Sequence, residues 1–103
     1  MYTFNNMLKL PQLAELAPEV TAAFWEFDKR AFSDGAIPKK YKELIAIGAA
    51  LTTQCPYCIE VHRQAAVKAG ATEKELAETI LVAAAIRAAG TVTHGTHALP
   101  AGD

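Results

Sequence analysis

Cysteine is scarce in this chain, with two among 103 residues, alongside three histidines and one tryptophan. So few thiols exclude a disulfide-stapled secreted scaffold and make the position of the pair the informative fact. Charge of either sign is also modest. Ten Lys and Arg against eleven Asp and Glu leave a net charge of −1, so there is no electrostatic case for nucleic acid or an anionic membrane. Long apolar runs are missing: the longest, Ile80 to Ile86, is too short to span a bilayer. Met1 to Asn6 hold no basic region followed by an apolar run, so no secretory signal is expected and the expected location is cytoplasmic. No strand-period segment, repeat or low-complexity tract occurs. Nor is there a flavin, haem or nucleotide motif, so no organic cofactor is expected. What remains is the reading of residues 1–103 as one all-α domain of about five to six helices.

Helix punctuation divides the chain. The first seventeen residues read as a loose start leading into a short helix, with Leu8, Leu10, Leu13 and Leu16 as apolar contacts and Pro11 as an interruption. Pro18 opens a second helix to about Phe32, with Val20, Phe24, Phe27 and Ala31 on one stripe. Ser33-Asp34-Gly35 stops it, and Trp25 is assigned to the core or a subunit contact. Pro38 starts the third, whose Lys39, Lys40 and Lys42 read as a solvated face before a nearly all-apolar half, Leu44 to Leu51. The fourth runs from Pro56 to about Ala69, with Gly70 as a left-handed stop. Thr72 and Glu75 form a capping box for the fifth, which Gly90 is expected to end. Thr91 to Leu99 then reads as a short helix or ordered tail, and Pro100 to Asp103 as frayed. From Leu76 to Ile86 the fifth helix is apolar on nearly every side. A monomer this small cannot enclose it, so a homo-oligomer is expected.

The reactive residues gather in Thr53 to His62. Pro56 fits the first position of a helix, which places Cys55 at or near the N-cap. There the free N–H groups and the positive end of the helix dipole favour a thiolate. Residues three or four apart share a helix face, so Cys55 lies over Cys58 and Cys58 over His62. The sulfurs can close a disulfide and the imidazole can exchange a proton with the nearer one. Three readings are open. A redox dithiol stands first, because it also accounts for Pro56 and His62. A zinc-stabilised interaction module comes second, with Cys55, Cys58, His94 and His97 as ligands and His62 or Glu43 as substitutes. Two inert buried thiols come last. Glu43 sits where the third helix turns from charged to apolar. Burial there would raise its pKa toward the range of a general base, with an ion pair to a lysine as the plainer alternative.

Glu43, then Cys55-Pro56-Tyr57-Cys58 twelve residues on, then His62, resembles the Glu…CxxCxxxH signature of AhpD-like alkylhydroperoxidases in the carboxymuconolactone decarboxylase superfamily. The resemblance extends from Leu44 to Gly95. It implies an all-helical domain assembled as a homo-trimer or homo-hexamer, with the active site near a subunit contact. It implies thiol-dependent reduction of a hydroperoxide or disulfide substrate, with a lipoyl-like or thioredoxin-like dithiol as reductant. Carried over by position, Glu43 relays a proton through water and His62, Cys58 attacks the peroxide and Cys55 resolves it as a Cys55–Cys58 disulfide. The helix-start argument alone points to Cys55 as the attacking thiol, so the division of roles stays open. Some members carry a histidine where this chain has Tyr57. The superfamily's ring-acid decarboxylases lack the cysteine pair, which argues against decarboxylation here. A redox sensor that closes the same disulfide without turnover is the remaining alternative.

Overall fold

Residues 3–101 are described by a computed structural model. Its organising element is α3 (Lys39–Thr53), which packs on α4 (Pro56–Lys68) along one side and on α5 (Glu73–Gly95) along another. The apolar half of α3 supplies Leu44, Ile47 and Ala50 to the core. Ala66 of α4 and Ala83 of α5 are also buried, and Leu51, Ala71 and Leu76 close the margin. Alanines at the contacts let three helices approach with little side-chain bulk between them. The expected all-α class holds, and among the described residues there is no strand.

The stop and start signals work as local chemistry dictates. Gly70 takes φ 101° and ends α4, with its N–H bonded to the Val67 carbonyl. Thr72 Oγ1 accepts from the Glu75 N–H while Glu75 Oε1 accepts from the Thr72 N–H, the two halves of a capping box. Gly90 behaves differently from expectation. It is not among the residues with positive φ, and α5 runs on through it to Gly95, followed by a 3₁₀ turn over Thr96–Ala98. A glycine stops a helix only by adopting the left-handed conformation, and the alanines before it favour continuation. The longer helix changes one reading. Glu73–Ala98 is long and apolar enough, by length and composition, to cross a membrane, although Ile80 to Ile86 alone is not. The fraying expected at the C-terminus falls partly on Gly102 and Asp103, outside the described residues.

The N-terminal third makes its own layer. A 3₁₀ segment (Phe4–Lys9) leads into α1 (Leu10–Leu16), which pairs with α2 (Pro18–Ala31). Pro11 lies in the first turn of α1, where it starts the helix rather than interrupting it. The expected apolar contacts of this layer are open to solvent: Leu8, Leu13, Leu16, Val20, Phe24 and Phe27 are all at least half exposed. Trp25 meets Phe24 edge to face but stays outside the core. The radius of gyration is 17.6 Å, against about 13 Å for a compact chain of this length. The α1–α2 pair is therefore an arm, held to the body at its two ends.

Candidate redox active site

Gln54 creates the site's geometry. It closes α3 in the left-handed conformation, φ 57° and ψ 50°, and Ala50 accepts from both the Gln54 and the Cys55 N–H. The chain reverses there, and Cys55 lands on the N-cap of α4 with Pro56 behind it. From α5, Arg87 Nη1 donates to the Thr52 carbonyl at 2.7 Å, occupying a carbonyl that the end of α3 leaves free.

Both cysteines are reduced, Cys55 half-buried and Cys58 exposed. Cys55 Sγ accepts from the Cys58 N–H at 3.4 Å, the bond of a capping side chain. The thiols also interact with one another. Hydrogen bonding by the Cys58 thiol, with its N–H adding to it, draws Cys55 below the ordinary thiol value. The same bond raises Cys58, with desolvation and the Cys55 charge pushing the same way. Of the two thiols, Cys55 is therefore the more readily ionised and Cys58 the less.

Glu43 and His62 are in direct contact. Glu43 is 2% exposed, and its Oε2 lies 2.7 Å from His62 Nδ1. An ionised carboxylate only accepts, so Nδ1 carries the hydrogen and Nε2 is left with a lone pair. The imidazole sits one turn beyond Cys58 on α4, on the same face. The second oxygen, Oε1, is 3.2 Å from Lys39 Nζ. Phe32, the C-cap of α2, stacks on the His62 ring with centroids 4.7 Å apart and planes 15° from parallel. Beside this group opens a cavity of about 480 Å³ lined by Asp28, Lys29, Phe32, Lys39, Glu43 and His62 among others. Its mouth is bounded by the end of the arm.

One reading of the sequence gains detail and another changes. Lys39 is exposed and Lys40 and Lys42 are half-buried, and each also has a partner: Lys39 pairs with Glu43, Lys40 with Glu75 at 3.0 Å, and Lys42 donates to the Ser33 carbonyl at 2.6 Å. The four proposed zinc ligands do not assemble. His94 and His97 lie near each other at the end of α5, with ring centroids 6.0 Å apart, and among the described residues no group of three or more His, Cys, Asp or Glu could hold a metal ion. Sequence spacing also missed Phe32 and the second role of Tyr57. The Tyr57 hydroxyl accepts from the Thr3 N–H and from Asn6 Nδ2, and Phe4 meets its ring edge to face, so the N-terminal segment is tied down between the two cysteines. The i,i+4 spacing of Lys39 and Glu43 was the one local signal of the Lys39 contact.

The sequence profile of the Carboxymuconolactone decarboxylase family matches residues 18–101. The chain belongs to that family. The match takes in α2 to α5 and with them Glu43, the cysteine pair and His62. Among solved structures, the apo form of a carboxymuconolactone decarboxylase family protein from Legionella pneumophila is 39% identical, with a TM-score of 0.76 over 80% of this chain and 73% of that one. A protein from Methanobacterium thermoautotrophicum is 33% identical, with a TM-score of 0.79 over 85% of this chain and 99% of its own. "Uncharacterized protein 4 in cox locus" of Paracoccus denitrificans is 40% identical over 90 residues, 87% of this chain and 81% of that protein. This family includes enzymes of more than one chemistry, among them decarboxylases and peroxidases.

Proposed function

We propose that this family member is a dithiol peroxidase or disulfide reductase. The supporting observation is a reduced, hydrogen-bonded cysteine pair at a helix start, one turn from an imidazole whose far nitrogen is held by a buried carboxylate. Cys58 is the less readily ionised of the two thiols and so needs a base, and His62 Nε2 is the base on its face. The Cys58 thiolate attacks one peroxide oxygen and the O–O bond breaks with its electrons going to the leaving oxygen. That oxygen takes the proton from His62 and departs as alcohol or water. Cys58 is now a sulfenic acid, oxidised by two electrons. Cys55, the more readily ionised thiol, attacks its sulfur as the thiolate, and the hydroxyl takes up the proton that the Cys55 thiol released and leaves as water. Two thiols and one hydroperoxide thus give one disulfide, one alcohol and one water. An external dithiol of the lipoyl or thioredoxin kind returns two electrons and two protons, a cycle that suits a reducing compartment such as the cytoplasm. Glu43 keeps the imidazole in the tautomer that this relay needs.

The working unit in this reading is a homo-oligomer, a trimer or hexamer. An 11.0 kDa monomer exposes about 5,600 Å² by surface scaling, whereas this chain exposes 8100 Å². The surplus is the size of an obligate interface.

The deciding experiment titrates the fully reduced protein with hydroperoxide, counting thiols lost, and then measures turnover with excess dithiol. Loss of two thiols per chain with repeated turnover is expected. Loss of two thiols without turnover would replace the enzyme with a redox sensor, and unreactive thiols would remove the thiol reading altogether.

A further inference from the structure

We infer that Lys39 is a positioning residue of the Glu43–His62 relay, holding one carboxylate oxygen so that the other stays on the imidazole and keeping the pair short of a proton. This rests on the relay proposed above. The lysine is fixed at both ends. Its backbone N–H donates to Asp34 Oδ1 at 2.7 Å, in the first turn of α3, and its Nζ reaches Glu43 Oε1 at 3.2 Å and the Phe32 carbonyl at 3.4 Å. The same ammonium lies 5.7 Å from the centroid of the Phe32 ring that stacks on His62. One side chain thus touches the carboxylate and the aromatic plate that together set the imidazole's position.

A carboxylate held through both oxygens by different partners cannot turn away from either. With Oε1 on Lys39, Oε2 is committed to Nδ1, and the imidazole keeps the tautomer in which Nε2 accepts. The charge matters as well as the contact. A cation beside the pair opposes uptake of a further proton, so its removal favours the protonated imidazole. The Lys39 side chain is 47% exposed while that of Glu43 is 3% exposed, so the ammonium is hydrated and adds little to folding. Its effect falls on the buried carboxylate. The other charged groups lining the cavity beside the pair are Asp28 and Lys29 on α2 and Asp34 in the following loop, and the titratable Cys58 lies one turn before His62 on α4. Among the described residues Lys39 is the cation bonded to Glu43.

The test compares Lys39→Met, which keeps the stem and loses the charge, with Lys39→Arg. His62 ring resonances are followed by NMR against pH, and peroxide consumption with a dithiol reductant is measured over the same range. In Lys39→Met the His62 resonances are expected to titrate at higher pH than in the native chain. The rising limb of the rate should move the same way, with a loss of roughly threefold to tenfold at pH 7. Lys39→Arg should restore both, and added salt should shrink the displacement. If Lys39→Met melts early, Lys39→Gln is read in its place. An unmoved His62 titration in a folded variant would overturn the inference. So would a loss of rate that leaves that titration in place, because it would mark Lys39 as a structural contact only. If the native chain consumes no peroxide, the peroxidase reading falls, yet the His62 titration still decides the role of Lys39.

Discussion

Glu43 separates a catalytic carboxylate from a structural one, and Glu43→Gln is the perturbation that does so. The carboxylate is 2% exposed and makes a charge-assisted bond to His62 at 2.7 Å and another to Lys39 at 3.2 Å. The first is worth about 1.5–3 kcal/mol and the second, with a half-exposed lysine, about 0.2–1 kcal/mol. Against them stands the cost of burying the charge, several kcal/mol after relaxation. Glutamine keeps the shape and removes that cost; its oxygen can still accept from Lys39, while its NH2 can bond Nδ1 only when the imidazole takes the other tautomer. Its net effect on folding is therefore within about 1 kcal/mol, because the two terms offset. Its effect on the reaction does not offset. Without the carboxylate the imidazole loses the group that fixes its tautomer and stabilises its charged form, and a positioned base is worth roughly 10²–10⁴ in rate, which is about 2.7–5.5 kcal/mol of barrier. Urea unfolding read beside dithiol-coupled peroxide consumption checks both. Glu43→Ala should instead destabilise by roughly 2–4 kcal/mol, since both bonds go and nothing fills the space. A Glu43→Gln protein with the native rate would refute the relay, and one that failed to fold would refute the offset.

Cys58→Ala removes the largest influence that lowers Cys55, so iodoacetamide should label Cys55 more slowly at neutral pH than in the native chain, with the pH midpoint of labelling moved upward. Labelling at an unchanged or faster rate, followed by mass spectrometry, would show that the pair does not share a proton. Gln54 pays the steric cost of the left-handed region at φ 57°, and Gln54→Gly should raise the urea midpoint by about 1 kcal/mol of stability; a decrease would mean that the Gln54 side chain has a contact of its own. Glu75 lies below its ordinary value because it accepts from the Thr72 N–H first and from Lys40 second. A depressed carboxylate gives stability that is complete above the unfolded value of about 4.3 and is lost as pH falls through the lower folded value. Melting temperature measured down that range should fall less steeply in Glu75→Gln than in the native chain, and parallel curves would remove the capping box from the account. Sedimentation of the native protein in detergent-free buffer should give a mass of three or six chains, and a stable monomer would contradict the interface argued from the exposed surface.

What the sequence made legible is what short-range chemistry decides. The N-cap at Cys55, the box at Thr72 and Glu75, the glycine stop at Gly70 and the burial of Glu43 all follow from neighbours within a helical turn or from a change in local polarity. The bond from Glu43 to His62 crosses nineteen residues, and its recognition depended on the resemblance to known relatives rather than on spacing. Contacts between distant elements had no local signature. Nothing near Phe32 says that its ring covers His62, and nothing near Arg87 says that it reaches the end of α3. The partners of two α3 lysines were hidden for a related reason: the carboxylate that Lys40 meets lies on α5 and the carbonyl that Lys42 meets lies after α2, neither of them visible from the run of cations itself. Gly90 misled because glycine permits a stop without enforcing one.

The exposed apolar surface bears on where the site ends. The body of α3, α4 and α5 buries only five apolar residues, while Leu81, Val82, Ile86 and Val92 of α5 and the whole apolar side of α1–α2 face water. A bilayer could cover α5 by length alone, but Arg87 stands inside that span with its guanidinium on the Thr52 carbonyl, and Glu73, Glu75 and Glu78 crowd its first two turns. Inserting the helix would strip Arg87 from the loop that carries Cys55 and carry its charge into hydrocarbon, at a cost of about 2.5–3.5 kcal/mol even on the lenient scale. Covering the same face with further copies of the chain requires neither. The arm then has a reason to be where it is: its C-terminal residue Phe32 stacks on His62 and its N-terminal segment bonds to Tyr57. In the proposed assembly, a contact that fixed the arm from outside would act on both ends of the segment from Cys55 to His62, and would tie the proposed chemistry of one chain to its association with the next.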